Sequence, residues 1–390
     1  MNKKDALPGI MKRIRESGDP LLDIKYHLAH PQIKLEAYTK ARLLMLGREA
    51  VSKRVIYLDQ NFWINLRRVK LGQSADKKYI QLYNKLKMLC SGGGVICPIN
   101  FSHYAETLRQ ADPQSRLQTF ELMDELCCGF SIIPNNDLSS LEVVNFLMQS
   151  VIGSEQCYKN EELAWIYSGY VTGLVHPYET GFDEDTELAI QKMLFEHTRH
   201  RTLGDTIRLL DDAEKIRIIE SDEEFQRKQT EECNRHRSEY KTFNECYFNE
   251  ISGCVDLHRD SIIHALTRLW EIKNETSATD GDVRRLAASA PDYEDAIRRA
   301  FKQGRIKGEL PCLDIPASCH ALKRYKQIPF KKGDRFDFMH ARTALPYCDY
   351  FLTERVLGEM LCDKLVRLDV KYECKILWDI DMINSEFSGV

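Results

Sequence analysis

The stretch Asp337-Phe-Met-His-Ala-Arg-Thr-Ala-Leu-Pro-Tyr-Cys-Asp349-Tyr-Phe-Leu-Thr-Glu354 decides the fold class that the sequence predicts. Its second half is a short apolar run that leads to an acid, and Val55-Ile-Tyr-Leu-Asp59 repeats that arrangement. Apolar runs of this length are typical of strands buried on both faces, as in a parallel sheet. Because chemistry in open parallel sheets gathers beyond the carboxyl ends of the strands, Asp59 and Glu354 are candidate site residues.

Five apolar segments have the length of strands, and most are separated by segments with helical periodicity. The predicted strands are 54–59, 95–99, 130–133, 350–353 and 374–377. From 138 to about 301 the chain is charged and helix-periodic, with few strand signals. We therefore expect an α/β fold, with a mostly parallel five-stranded sheet interrupted by a large all-helical insertion. The predicted boundaries are a helical N-terminal extension at 1–53, the α/β domain at 54–134 and 326–390, and the insertion at 135–325.

Composition indicates a globular protein. The chain has 390 residues, a formal net charge of −4 and an apolar fraction of 43%, which supports a sizeable core. No segment approaches the ~20 apolar residues of a membrane-spanning helix, and the first residues lack the apolar stretch of a signal peptide. The 13 cysteines include no Cys-x-x-Cys pair, which predicts buried free thiols in a reducing compartment. We expect a cytoplasmic protein without a membrane partner.

Acidic residues at the predicted sheet edge could share a divalent cation. The proposed set is Asp59, Glu106, Asp337 and Glu354, with Asp349 as a fifth ligand. Two carboxylates ~4 Å apart repel by roughly 4 kcal/mol at an effective dielectric of 20, so a fold that gathers several of them needs a cation. Carboxylate oxygens suit Mg²⁺ or Mn²⁺ better than zinc. Since such an ion can activate water to attack phosphorus, the predicted reaction is phosphodiester hydrolysis.

A structural role is the alternative for each acid taken alone. An Asp that follows a strand is commonly a turn former or a helix cap. Asp334 is a competing cap for the helix that carries Asp337, and Asp349 could simply begin its strand. Glu106 could be a solvated helix residue. The repetition of strand followed by acid favours the functional interpretation.

These phrases resemble the PIN-domain nuclease superfamily, whose members are metal-dependent enzymes that mostly cut RNA. The resemblance covers about 54–134 and 330–378. Its features are an apolar strand ending in Asp59, a helix carrying Glu106, the helix start Asp337-Phe-Met-His-Ala341-Arg-Thr-Ala344, and Cys348-Asp349-Tyr-Phe-Leu-Thr353-Glu354. The resemblance implies a PIN-like doubly wound sheet with the acids at one end, and metal-dependent endoribonuclease activity.

Supporting roles follow for three further residues. By the resemblance, Thr353 would orient a metal-bound water or a carboxylate, and Asn61 would brace Asp59 through side-chain-to-backbone hydrogen bonds. His340 lies three residues after Asp337 and shares its helix face. In the family the last acid is usually Asp, often at the position of Arg355 here. Glu354 and Asp349 therefore remain alternatives for the fourth acid.

A cluster of basic residues precedes Asp337 and is a candidate nucleic-acid-binding segment. Cationic side chains beside an acidic metal site would hold a phosphate backbone, with RNA as the expected partner and DNA as an alternative. A solvated loop is the structural alternative. The residues are Lys323, Arg324, Lys326, Lys331, Lys332 and Arg335.

The leading functional hypothesis is a metal-dependent endoribonuclease, of a kind that suits toxin or antiviral-defence roles. The alternatives are a structure-specific DNA nuclease and a non-catalytic PIN-like module that binds RNA or protein. A third alternative is a metal-independent ribonuclease, because Arg259-Asp-Ser-Ile-Ile-His264 resembles the Arg-x4-His motif of HEPN ribonucleases. The helical insertion could gate the site, bind a regulatory partner or form a homo-oligomer interface.

Overall fold

A computed structural model describes residues 18–388 except 154, 156, 174–177, 210–223, 225–226, 229 and 237. The fold is mixed α/β and 68% helical. Residues 1–17 of the predicted N-terminal extension lie outside the described residues, as do parts of two predicted helices at 205–220 and 223–247. In the described ranges, no helix has both the length and the apolar character needed to cross a membrane.

Helices alternate with short strands along the chain. The first half contains α1 (Ile24–Leu28), α2 (Leu35–Val51), β1 (Arg54–Leu58), α3 (Gln60–Lys70), α4 (Lys77–Ser91), β2 (Val95–Ile96), α5 (Phe101–Leu108), α6 (Pro113–Cys127), β3 (Phe130–Ile132), α7 (Asn135–Ile152), α8 (Asn160–Leu163) and β4 (Trp165–Tyr167). The second half contains α9 (Glu184–Arg199), α10 (Leu203–Leu209), α11 (Phe243–Leu257), α12 (Arg259–Asn274), α13 (Asp280–Lys302), α14 (Pro311–Tyr325), α15 (Asp334–Tyr347), β5 (Tyr350–Leu352), α16 (Arg355–Leu361), α17 (Leu368–Lys371), β6 (Lys375–Leu377) and α18 (Ile380–Ser388).

Four of the five predicted strands form parallel pairs. β1 pairs with β2, so that Arg54 lies opposite Val95. β5 pairs with β6, so that Tyr350 lies opposite Lys375. In β1 every residue after Arg54 is buried, as expected for a strand covered on both faces.

The prediction was wrong for the partner of the fifth strand. β3 lies at the predicted position, but it pairs antiparallel with β4, so that Ser131 is opposite Ile166. An isolated parallel bridge from Ile99 to Ser131 links β3 to the chain after β2. The predicted insertion at 135–325 is therefore not all-helical, because β4 lies within it. A run of three residues is too short to show a strand period among helical segments.

The described residues form two compact units whose limits differ from the predicted domains. The first unit comprises 1–134, 165–221 and 379–390, and the second comprises 135–164 and 222–378. The second unit thus combines β5, β6 and α15 with helices of the predicted insertion. The fully buried carboxylate of Glu142 in α7 is one reason why these elements form a single unit. It accepts hydrogen bonds from the Tyr347 hydroxyl and the Cys312 amide, both at 2.6 Å. A buried acceptor of this kind needs these donors, which come from α14 and α15.

Gly358 in α16 allows a close approach within the second unit. A Cβ atom at this position would lie 2.2 Å from Cε3 of Trp378. The indole ring is rigid and cannot move away from the new methyl group as the end of a flexible side chain could. We therefore expect Gly358→Ala to lower the free energy of unfolding by about 1–3 kcal/mol. Urea titration followed by circular dichroism measures this change.

Gly253 in α11 is the matched control, because a Cβ atom there would meet no other atom within 4 Å. Gly253→Ala should raise the free energy of unfolding by ~0.5–1 kcal/mol through helix propensity alone. Equal effects of the two substitutions would contradict the close contact between Gly358 and Trp378.

Candidate functional site

Asp59 lies at the carboxyl end of β1, where the chain turns into α3. It is the N-cap residue of α3, and its carbonyl oxygen accepts from the Phe62 amide at 2.9 Å. Its side chain makes no capping hydrogen bond to the helix, although only 6% of the residue is exposed. The prediction that an acid ends this strand is confirmed. The carboxylate is not used for the capping role that would explain an Asp at this position.

Glu106 lies in α5, which is held at the end of β1 by His103. The Nδ1 atom of His103 accepts from the Asn100 amide at 3.2 Å, and Nε2 donates to the Leu58 carbonyl at 2.7 Å. An amide can only donate, so Nδ1 is unprotonated and the ring is the neutral Nε2–H tautomer. Leu58 immediately precedes Asp59. Since Glu106 is one turn beyond His103 on the same helix face, α5 carries it towards the end of β1.

A second contact fastens the same two elements. The Gln60 side-chain amide donates to the Thr107 hydroxyl at 3.0 Å in a buried position. Residues on both sides of Asp59 are thus bonded to residues on both sides of Glu106. These paired contacts hold α5, the helix that carries Glu106, against the chain on both sides of Asp59.

His103 and Gln60 are positioning residues that the sequence did not reveal. The N-cap of α5 is Asn100, and His103 completes its capping box. The usual capping box has Glu or Gln at the third position, so a pattern search would pass over His. Asn61 also differs from expectation, because the hydrogen bond of its Oδ1 is with Asn65 at 3.1 Å.

Asp337 and His340 lie in α15 of the second unit. Asp337 is in the first turn and half-buried, and its amide donates to the Gly333 carbonyl at 3.2 Å. His340 is buried on the same helix, with 1% of its surface exposed. Burial raises the pKa of the Cys319 thiol, and the charges of Asp314 and Asp337 add to this effect. Cys319 is therefore a protonated neighbour of Asp337 rather than a thiolate ligand.

The two alternatives for the fourth acid lie at opposite ends of β5. Asp349 precedes the strand, and its carbonyl accepts from the Lys375 amide at 2.9 Å. Glu354 follows buried Thr353 beyond the carboxyl end, as the N-cap of α16 without a side-chain capping bond. Five residues of extended chain span about 16 Å, so the two carboxylates are far apart. Glu354 has the same relation to β5 that Asp59 has to β1.

Two of the six predicted phosphate-binding residues are buried inside the second unit. Lys323 and Arg324 are each 5% exposed. The Lys323 ammonium pairs with Asp334 and lies 5.2 Å from the centre of the Phe330 ring. Arg324 donates to the Asn249 side chain at 2.8 Å. A surface role in nucleic-acid binding does not fit this placement, because desolvated cations with carboxylate partners serve the fold.

The other four predicted cations are at least partly exposed. Lys331 and Lys332 are exposed, and Arg335 is half-buried with its guanidinium 5.9 Å from the Phe336 ring centre. Lys326 is also exposed and pairs with Asp363. Three of the four flank the start of the helix that carries Asp337, where anions are favoured.

The Arg259–His264 pair has a different arrangement from a catalytic motif. Arg259 makes two hydrogen bonds to the buried carboxylate of Glu294, at 2.6 and 2.9 Å. His264 is exposed. The bidentate pair gives Arg259 a structural role between α12 and α13.

The donor chemistry of the predicted acids suits a hard divalent cation. Asp59 and Glu106 are carboxylates, whose oxygen atoms are the ligands that Mg²⁺ and Mn²⁺ prefer. Among the described residues, no group of three or more His, Cys, Asp or Glu side chains forms a potential metal site. No protein-family model, curated protein or solved structure matches the chain.

The His103 bridge predicts a specific loss of stability. His103→Phe keeps an aromatic ring but leaves the Leu58 carbonyl and the Asn100 amide without this partner. We expect the free energy of unfolding to fall by about 2–4 kcal/mol, since each buried group left unpaired costs roughly 1–3 kcal/mol. Urea denaturation of the full chain measures the change.

Two further variants complete this test. His103→Gln, whose amide can still donate to Leu58, should lose less stability than His103→Phe. His264→Phe places the same substitution at an exposed histidine and should change stability by less than ~0.5 kcal/mol. Wild-type stability of the His103→Phe variant would refute the bridging role.

Proposed function

We propose that the chain is a metal-dependent endoribonuclease that hydrolyses RNA phosphodiester bonds. Its acids are Asp59 and Glu106 in the first unit and Asp337 and Glu354 in the second. The observation that carries the proposal is the pair of contacts, Leu58 to His103 and Gln60 to Thr107, that flanks the first two acids.

Those contacts support the proposal because they fix the backbone from which two acids extend. The residues on both sides of Asp59 are bonded to α5, the helix that carries Glu106. A metal-binding or catalytic carboxylate requires a rigid frame of this kind.

Within the second unit, Glu354 is preferred to Asp349 as the fourth acid. Glu354 follows the carboxyl end of its strand, where ligands of parallel sheets bind, and Asp349 precedes the amino end. The buried hydroxyl-bearing Thr353 stands between β5 and Glu354, and its amide is bonded to the Leu377 carbonyl at 3.0 Å. This bond holds the backbone from which Glu354 extends.

Each class of residue has a separate task in the proposed reaction. The acids of each unit would bind Mg²⁺ or Mn²⁺, which when bound supplies Lewis-acid activation for phosphodiester hydrolysis. The exposed ammonium groups of Lys331 and Lys332 would contact phosphates of the substrate and position it. His103 acts through backbone contacts and is a positioning residue.

RNA is the proposed substrate, by the resemblance to ribonucleases described above. Residue types alone do not distinguish RNA from DNA, so assays on single-stranded RNA, tRNA and branched DNA select between the two nuclease classes. Cleavage of branched DNA alone would favour the structure-specific DNA nuclease. RNA binding without cleavage would favour the non-catalytic module.

The metal proposal predicts loss of activity in two conservative variants. Asp59→Asn and Asp337→Asn should each reduce Mn²⁺-dependent cleavage of total RNA by at least about 100-fold, because an amide is a weaker metal ligand than a carboxylate. EDTA should abolish cleavage by the wild type. Unchanged far-UV circular dichroism and unfolding curves serve as the folding control.

A thermal-shift titration gives a readout that does not depend on catalysis. Mn²⁺ should raise the unfolding temperature of the wild type, because a ligand that binds the folded state stabilises it, and less so in either variant. Full cleavage by both variants would reject the site. Cleavage that survives EDTA but is lost in His264→Ala would select the metal-independent ribonuclease.

The assignment of the fourth acid has its own test. Glu354→Gln should lower the cleavage rate by at least about tenfold, whereas Asp349→Asn should leave it within about twofold of wild type. The two residues flank the same short strand and are both exposed, so each is a matched control for the other. A larger loss in Asp349→Asn would reverse the assignment.

A further inference from the structure

In the first unit, the segment Asp19–Lys34, here termed the strap, is held against α9 by three side chains of that helix. Lys192 Nζ donates to the His30 carbonyl at 3.1 Å. His197 Nε2 donates to the Leu22 carbonyl at 2.9 Å. Arg199 Nη2 donates to the Asp19 carboxylate at 2.7 Å. Each bond comes from a cation or an imidazole, so the attachment depends on protonation states.

The strap covers charged groups of α9 that would otherwise face water. Lys192 is only 1% exposed, and Glu196 one turn further on is fully buried. Glu196 accepts from Tyr38 and from Arg42, both at 2.9 Å, and pairs with Arg199 at 3.0 Å. Burial lowers the pKa of Lys192, and the charge of Asp185 opposes this effect. An added positive charge in this cluster would therefore be unfavourable.

His200 is the first histidine whose protonation would weaken the attachment of the strap to α9. Arg199 Nη2 donates to His200 Nε2 at 3.4 Å, and a guanidinium cannot accept, so Nε2 carries no proton. The same Nη2 atom holds Asp19 of the strap. A proton on His200 Nε2 would place a charged imidazole against the Arg199 guanidinium. The repulsion would displace Arg199, which holds Asp19 of the strap. Asp19, Glu196 and His197 are the other ionisable groups that act on His200.

His27 in α1 is the second histidine whose protonation would weaken this attachment. It is 2% exposed, and its Nε2 donates to the Leu21 carbonyl at 2.8 Å within the strap. Lys192 and Glu196 of α9 and His30 of the strap act on it electrostatically, and the Tyr38 ring of α2 lies edge-on at 5.4 Å between ring centres. Burial lowers the pKa of His27, and Lys192 adds to that effect. Burial and the charge of Arg199 likewise lower the pKa of His200.

We propose that the strap is a pH-sensitive cover that α9 holds at neutral pH and releases on acidification, when His200 and His27 take up protons. Release frees the bonds from Lys192, His197 and Arg199 and exposes the charged face of α9. The device lies in the first unit and does not depend on the proposed nuclease activity.

The direction follows from the two histidines. A histidine whose pKa is lower in the folded state than the usual 6.5 binds more protons when released. Its contribution to the closed state is fully present above pH 6.5 and is lost as the pH falls towards the folded-state pKa. Closure is therefore strongest at neutral pH and weakens as the pH falls below 6.5.

Hydrogen exchange of the full chain, measured by mass spectrometry at pH 7.5 and 5.0, tests the proposal. After correction for the intrinsic pH dependence of exchange, protection of the Ile24–His30 amides should fall on the order of tenfold more than that of α5. The double variant His27→Gln, His200→Gln should lack this difference. His236→Gln is the control, because the His236 ring bonds to Glu232 and Glu239, which raise its pKa, and it should respond as wild type does.

Equal loss of protection in the strap and in α5 would overturn the proposal, as would a full acid response in the double variant. If the double variant is already unprotected at pH 7.5, Lys192→Met decides the question. This variant keeps both imidazoles and removes a cation that opposes the protonation of His27, so its acid response should be smaller than that of wild type. An undiminished response there would also overturn the proposal.

Discussion

The neutral imidazole of His103 is the contact on which the geometry of the candidate site in the first unit depends. One ring accepts from the Asn100 amide and donates to the Leu58 carbonyl, which joins the start of α5 to the end of β1. Only a neutral tautomer performs both tasks at once. Because Leu58 precedes Asp59 and α5 carries Glu106, this bridge fixes the backbone beside both candidate acids.

Three other buried acids in the two units have a clear structural role. Glu142, Glu196 and Asp314 are almost fully buried, and each accepts hydrogen bonds from at least one tyrosine hydroxyl. Desolvation of a carboxylate is costly, and these donors offset the cost while they tie distant helices together. Such acids stabilise the fold.

The basic residues before α15 are adjacent in the sequence, but the fold buries some of them and leaves others exposed. Lys323 and Arg324 turn inward, where Asp334 and Glu250 neutralise them, whereas Lys331 and Lys332 remain exposed. Linear spacing could not separate the two groups, because the carboxylate partners of Arg324 come from α11 and the segment before it, more than 70 residues away. Exposure thus divides a stretch that looks uniformly basic in the sequence.

The sequence by itself determined the positions of β1, β2, β3, β5 and β6 and the acid that follows β1, since apolar runs and their adjacent residues are local features. It also indicated most of the long helices, whose periodicity extends over several turns. The tertiary structure alone decided that β3 pairs with β4 and that α15 shares a unit with the helices before it. It also decided which acids and cations are buried. These outcomes depend on contacts between residues far apart in the chain, and no local pattern records which partner satisfies a buried polar group.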